Sequence, residues 1–182
     1  MNPYFSRAGD DGYSSILGEG RLPKYHPRLE AVGSLDEASA ALGLARAVCK
    51  LPRVSELVLE IQRDLYRLMA EVAAPPENAA RFRSIDGVRV IWLETQIEEF
   101  STTVELPREF TVSGSTLAGA ALDLARTVVR RAERRIADLL HQGDIENVDI
   151  LRYVNRLSSL CYVLEGAENI AGGKDSFSLA KE

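Results

Sequence analysis

The stretch LAGAALDLARTVVRRAERRIADLL, residues 117–140, decides how the rest of the chain is read. At about 100° of rotation per residue, Ala118, Leu122, Ala125, Val129, Ala132, Ile136 and Leu139 fall in one stripe, the signature of an amphipathic helix. The spacing predicts a helix over roughly 116–142. Arg126, Arg130 and Glu133 lie on one flank at i, i+4 and i+7, and Arg134 extends that polar face. Leu117, Leu124 and Val128 occupy the other flank, so the helix is apolar beyond a single stripe and offers a surface to a second partner, such as another subunit. Five arginines fall within residues 126–135. Either they form a solvated face with local Glu133–Arg130 pairing, or their planar forks sit beside small residues to hold a polyanion such as a nucleotide triphosphate.

Helical spacing continues on both sides. The next helix, 147–170, buries Ile150, Val154, Leu157, Cys161 and Leu164. It carries Asn155, Ser159 and Tyr162 at i, i+4 and i+7 on the opposite side, as a wet surface or as a second pocket wall. Upstream, 86–100 carries Val88, Ile91, Trp92 and Thr95. The segment 54–74 places Val54, Leu57, Val58, Ile61, Leu65, Leu68 and Val72 on one face and ends at Pro75-Pro76. Residues 35–49 form an Ala/Leu-rich helix with Ser34 as N-cap and Glu37 at capping-box spacing. Residues 105–116 read as a loop with a brief extended piece. The expected architecture is all-α: one domain over 1–182, a five-helix up-and-down bundle of the ferritin-like, four-helix-bundle type. It divides into a glycine-rich front loop (1–33), the bundle (34–170) and a tail (171–182).

That front loop contains SRAGDDGYSSILGEGRLPK, residues 6–24, with four glycines in nineteen residues. It has neither the GK[ST] of a Walker loop nor a strand-first dinucleotide fingerprint. Its glycines let backbone N–H groups approach oxygens. Ser14 and Ser15 add hydroxyls, and Arg7 and Lys24 add charge. Asp10 and Asp11 would repel phosphate, so at least one is expected to brace the loop by accepting backbone N–H bonds or to organise Mg²⁺ through water. The other reading of the loop is a flexible terminus.

A net charge of −5 argues against a general nucleic-acid binder, while eighteen arginines against four lysines favour specific anion recognition. Two cysteines, Cys49 and Cys161, lie in apolar helical patterns and read as buried thiols. His26 and His141 have no partner spacing for a triad or metal site and read as surface residues. No apolar run approaches membrane-spanning length. A cytoplasmic protein fits these features.

Four ordered segments resemble the PduO-type corrinoid adenosyltransferases: SRAGDDGYSS, GRLPKYHPRLEAVGSLDEASAALG, ARTVVRRAERR and YVNRLSSLCYVL. The resemblance runs from about residue 4 to 165. It implies a homotrimer with sites between subunits. The implied reaction transfers the 5′-deoxyadenosyl group of ATP to cob(I)alamin, releasing triphosphate, with Mg²⁺ held mainly through the ATP phosphates and no dedicated metal ligands. It assigns ATP binding to Ser6, Arg7, Ala8, Gly9, Ser14, Ser15, Lys24, Arg130, Arg131, Ala132, Glu133, Arg134 and Asn155. Phe110 and Tyr162 would line the corrinoid pocket, and Asp36 and Arg126 would form an intersubunit salt bridge. Arg126, Arg130, Glu133 and Phe110 would carry the catalytic roles. A cob(II)alamin reductase and an adenosylcobalamin-dependent enzyme are the implied partners. Three departures lie nearer the corrinoid side: Ser159 stands where many relatives have Asp, Ser113-Gly114-Ser115 replaces a P-G-G turn, and Glu165-Gly166 replaces Ala-Arg. They keep open a second function, a bundle that binds nucleotide or cobalamin for delivery or sensing with little turnover.

Overall fold

A computed structural model describes residues 4–5, 7–105, 107–174 and 177–181. Five long helices carry the architecture: α1 (Pro27–Val48), α2 (Pro52–Ala73), α4 (Gly87–Ser101), α5 (Leu117–Gln142) and α6 (Val148–Ala171), with a single turn, α3 (Pro76–Ala79), between α2 and α4. Successive long helices run up and down. α1 packs on α2 and α5, and α6 packs on α5 and α4.

The apolar stripes read from the sequence on α2 and α5 are the buried faces. All seven stripe residues of α5 are at most 4% exposed, and all seven of α2 at most 6%. Fully burying one of the Val, Leu or Ile side chains contributes roughly 1.5–3 kcal/mol. α6 is buried nearly all round in its C-terminal half, as expected of a helix between two neighbours. In its N-terminal part Tyr153 donates to Asp64 Oδ2 of α2 at 2.8 Å, and Arg89 Nε of α4 donates to the same oxygen at 2.6 Å. One buried carboxylate thus ties three helices together.

Helix ends follow their chemistry. Asp86, Thr116 and Asn147 cap α4, α5 and α6 by accepting backbone N–H groups. α5 stops at Gly143, whose φ of 76° supplies the left-handed C-terminal turn.

Three expectations need correction. α1 begins at Pro27, so the front loop ends before residue 33. Its N-cap is His26, whose Nδ1 accepts from the Arg28 N–H at 3.1 Å. Ser34 lies inside the helix, buried, with its hydroxyl donating to the Glu30 carbonyl at 2.8 Å. The helix starts early because Arg28 is buried there: it donates to the Val72 and Ala74 carbonyls at the end of α2 and to the Asp144 carbonyl after α5. His26 is therefore a half-buried cap rather than a plain surface residue. On α4 the core face is Val90, Leu93, Ile97 and Phe100, whereas Val88 and Ile91 are exposed and Trp92 lies beneath the Arg89 guanidinium, 3.5 Å from its ring centre.

Two small antiparallel pairs complete the fold. β1 (Tyr13–Ser15) and β2 (Arg21–Pro23) make a front hairpin, with Ser14 opposite Leu22. β3 (Thr111–Val112) pairs with β4 (Ser178–Leu179), so the tail returns to the loop before α5. Among the described residues no helix is long and apolar enough to cross a membrane.

Candidate functional site

Two clefts open side by side along α5 and α6. The first, of about 560 Å³, is lined by Arg130, Glu133, Arg134 and Ala137 of α5 and by Leu151, Arg152, Asn155 and Arg156 of α6. Four guanidiniums therefore face one space, an arrangement suited to a polyphosphate. Side-chain bonds hold its floor. Asn155 Nδ2 donates to Glu133 Oε1 at 2.7 Å, and Arg156 donates from Nη1 to Asn155 Oδ1 at 2.7 Å and from Nε to Glu94 Oε1 at 2.8 Å. Arg134 donates to the Arg130 carbonyl at 3.0 Å. The Arg130 side chain is exposed and makes no hydrogen bond or ion pair with another described residue. It is free for an incoming anion.

The second cleft, of about 510 Å³, is bounded by α4, α5, α6 and the loop before α5. Phe110, Arg126, Arg130, Ser159 and Tyr162 are among its walls. Arg130 thus borders both spaces. Phe110 is 90% exposed. Arg126 Nε donates to Asp123 Oδ1 at 2.7 Å. Close behind, Glu165 is buried. Burial pushes its carboxyl up to about 7, with the Asp123 carboxylate adding to the rise and Arg126 opposing it. Burial likewise raises both thiols, Cys49 and Cys161, to about 12, which leaves them inert.

The front segment is a self-braced loop. Asp11 accepts the Tyr13 N–H at 3.1 Å and pairs with Arg21 at 2.7 Å, which holds its carboxyl down to about 2, the Arg21 bond being the larger cause. The Arg21 guanidinium also donates to the carbonyls of Ala8 and Tyr13. This matches the expected bracing role for one aspartate. Lys24 lies across Gly9, where a Cβ would come within 3.1 Å of its Nζ. Arg7 adopts the left-handed conformation, φ 61°, with its guanidinium 5.5 Å from the Phe5 ring centre. The hairpin leans on the bundle where the Leu17 N–H donates to the Ala73 carbonyl at 3.2 Å and Gly18 packs on Pro75.

The sequence-predicted residues separate into groups. Arg130, Glu133, Arg134 and Asn155 meet in the first cleft, and Phe110, Tyr162, Arg126 and Arg130 in the second. Arg7, Ala8, Gly9, Ser14, Ser15 and Lys24 line neither; Ser6 lies outside the described residues. Arg131 points to the other side of α5 and pairs with Glu37 of α1, and the Ala132 side chain is in the core. Asp36 is exposed on α1, while Arg126 of the same chain pairs with Asp123. Sequence reasoning missed Arg152 and Arg156, although their i, i+4 spacing around Asn155 places them along one helical edge. Among the described residues no group of three or more His, Cys, Asp or Glu could hold a metal ion.

The profile of one family, described as cobalamin adenosyltransferase, matches residues 4–167, which contain both clefts and the hairpin. The chain belongs to the cobalamin adenosyltransferase family. Among its members, the corrinoid adenosyltransferase PduO of Citrobacter freundii is 37% identical over 166 residues, which make up 91% of this chain and 49% of that protein. The chain therefore spans about half the length of the PduO relatives it matches. The corrinoid adenosyltransferase of Bacillus subtilis is 30% identical over 173 residues, 93% of this chain and 88% of that one. A variant PduO-type ATP:corrinoid adenosyltransferase from Lactobacillus reuteri, solved in complex with cobalamin and ATP, superposes with a TM-score of 0.89 at 28% identity. The match covers 98% of this chain and 96% of that one.

Proposed function

We propose that this cobalamin adenosyltransferase family member transfers the 5′-deoxyadenosyl group of ATP to the cobalt of cob(I)alamin, giving adenosylcobalamin and triphosphate. The observation that carries the reading is the shared wall: Arg130 borders both the guanidinium-lined cleft and the cleft that displays Phe110. A polyphosphate in the first and a corrinoid in the second would bring leaving group and nucleophile to the same arginine. The cobalt lone pair attacks C5′, the C5′–O bond breaks, and its electron pair departs with triphosphate. Cob(I)alamin is itself a strong nucleophile, so no general base is required. That accords with a site built from arginines rather than histidines. The protein's part is alignment and stabilisation of charge on the departing phosphate. Arg130 and Arg134 would receive that charge, and Glu133 and Asn155 would orient the nucleotide. Mg²⁺ would travel on the ATP phosphates, since among the described residues lining the first cleft the one carboxylate is Glu133, already bonded to Asn155. Phe110 would fill the lower corrinoid face and keep the axial base off cobalt.

The front hairpin lines neither cleft of its own chain, which supports a site completed by a neighbouring subunit's loop. The exposed Leu117 and Leu124 on α5 and Leu44 on α1 support a homotrimer. In it, Arg126 would exchange Asp123 for the neighbour's Asp36. A cytoplasmic enzyme supplied by a cob(II)alamin reductase and delivering to an adenosylcobalamin-dependent enzyme completes the proposal.

Purified protein with MgATP and chemically reduced cobalamin, under anaerobic conditions, is expected to show the spectral change of Co–C bond formation with stoichiometric triphosphate. Binding of both ligands without product would instead support cofactor delivery or sensing. A monomer in sedimentation analysis would overturn the trimeric site.

A further inference from the structure

We propose that the carboxy-terminal strap, Phe177 to Ala180, is a positioning device for Phe110, with Phe177 as its anchor; the role rests on the adenosyl-transfer reading above. Phe110 has little to hold it. The residue is 90% exposed, so little packing of its own fixes where it points, and its place in the second cleft depends on its backbone. That backbone is held by the strap. The Ala180 N–H donates to the Phe110 carbonyl at 2.8 Å, Thr111 pairs with Leu179, and Val112 pairs with Ser178. The Ser115 and Ser178 hydroxyls meet at 3.3 Å.

The strap is in turn fixed by one side chain. Phe177 is 6% exposed and stacks on Tyr162 with ring centroids 5.1 Å apart and an interplanar angle of 28°. The ring enters a notch that exists because residue 166 is glycine: a Cβ there would lie 2.8 Å from Phe177 Cζ and would also collide with Val104 Cγ1. Phe177 therefore braces Tyr162 from behind while its neighbours hold Phe110 and Thr111. Three wall residues of the cleft are set by a segment that contributes none of its own to that wall.

The test compares Phe177→Ala, Gly166→Ala and the conservative Phe177→Leu. Phe177→Ala and Gly166→Ala are expected to lower kcat/KM for cob(I)alamin on the order of 10- to 100-fold, the scale of a remote misplacement, with KM for ATP within about twofold. Both should reduce the fraction of axial-base-free cob(II)alamin seen by electron paramagnetic resonance with MgATP. Both should also speed amide hydrogen exchange over residues 108–113. Phe177→Leu, which keeps an apolar plug, should recover most of each signal. Unchanged exchange over 108–113 in Phe177→Ala, or equal losses toward ATP and corrinoid, would overturn the proposal. If the unmodified protein forms no adenosylcobalamin, the functional reading fails, and exchange alone then decides the strap: faster exchange supports it and unchanged exchange overturns it.

Discussion

The guanidinium-lined cleft takes all its walls from two long helices, whereas the neighbouring cleft takes one wall from the loop between α4 and α5. In the first, side chains bond to side chains: Glu133 to Asn155, Asn155 to Arg156, Arg156 to Glu94. In the second, the exposed Phe110 is held through its backbone by a distant part of the chain. The difference suits the ligands proposed for the two clefts. A polyphosphate needs charges held in place, and helices with interbonded side chains such as Glu133, Asn155 and Arg156 form a base that needs little reorganisation. A large planar corrinoid needs an aromatic surface that can meet it, and a loop provides that better than a helix.

Substitutions that strike one cleft and spare the other can break or sharpen this contrast. Arg130→Ala should be the most damaging, because that residue borders both spaces. A loss on the order of 10²–10³-fold in kcat is expected if its proposed role as a transition-state charge donor holds. The melting temperature should be preserved because the side chain is exposed. Arg130→Lys should recover only part, since lysine lacks the planar fork. Phe110→Ala should come next, lowering adenosylation on the order of 10- to 100-fold while leaving ATP affinity nearly unchanged in calorimetric titration. Equal losses in both would merge the two clefts into one functional unit.

Asn155→Ala should act in the opposite sense. Removing the amide that tethers Glu133 and accepts from Arg156 should weaken ATP by about 1 kcal/mol, roughly fivefold, with the corrinoid constant unmoved. Glu165→Gln should leave both ligand constants least changed, and its effect is on stability and appears only with pH. Burial raises this carboxyl to about 7 in the folded protein, so the native state favours its neutral form. Its stability contribution is complete below the unfolded value near 4.5 and is lost as pH rises through about 7. Glu165→Gln should therefore melt with the parent protein near pH 4.5 and above it at pH 8. A constant offset across that range would mean that Glu165 does not titrate as a buried acid.

Most of the bundle was legible because two helices carry a clean 3.6-residue repeat: α2 and α5 bury the residues that their spacing selected. α4 was harder. Its segment holds two apolar sets, and the set beginning at Val88 belongs to solvent while Val90, Leu93 and Phe100 face the core. Local signals also misplaced the start of α1. A serine followed three residues later by glutamate looks like a cap, but the buried Arg28 and its three carbonyl partners make the helix begin earlier. Those bonds span up to 116 residues of sequence and leave no local trace.

The candidate site was legible where charge and spacing coincide, as at Arg130, Glu133 and Asn155. It was illegible where the contact is a two-residue strand or a single aromatic in a polar tail. Phe177 has no periodic neighbours, and only the fold shows that Gly166 makes room for it. The front loop's internal brace was readable from Asp11. Its relation to the arginine helix was not, because one chain does not bring the two together.

Leu17's bond to the Ala73 carbonyl has a consequence for how the front segment could close over a ligand. It pins the chain ten residues ahead of α1, so any displacement of the residues before it would pivot at Leu17 rather than at Pro27. Closure entropy grows only logarithmically, by about 0.6 kcal/mol for each doubling of free length, yet the pinned residues need not be ordered again at each encounter. Leu17 lies between β1 and β2, so this one bond seats the whole hairpin against the end of α2.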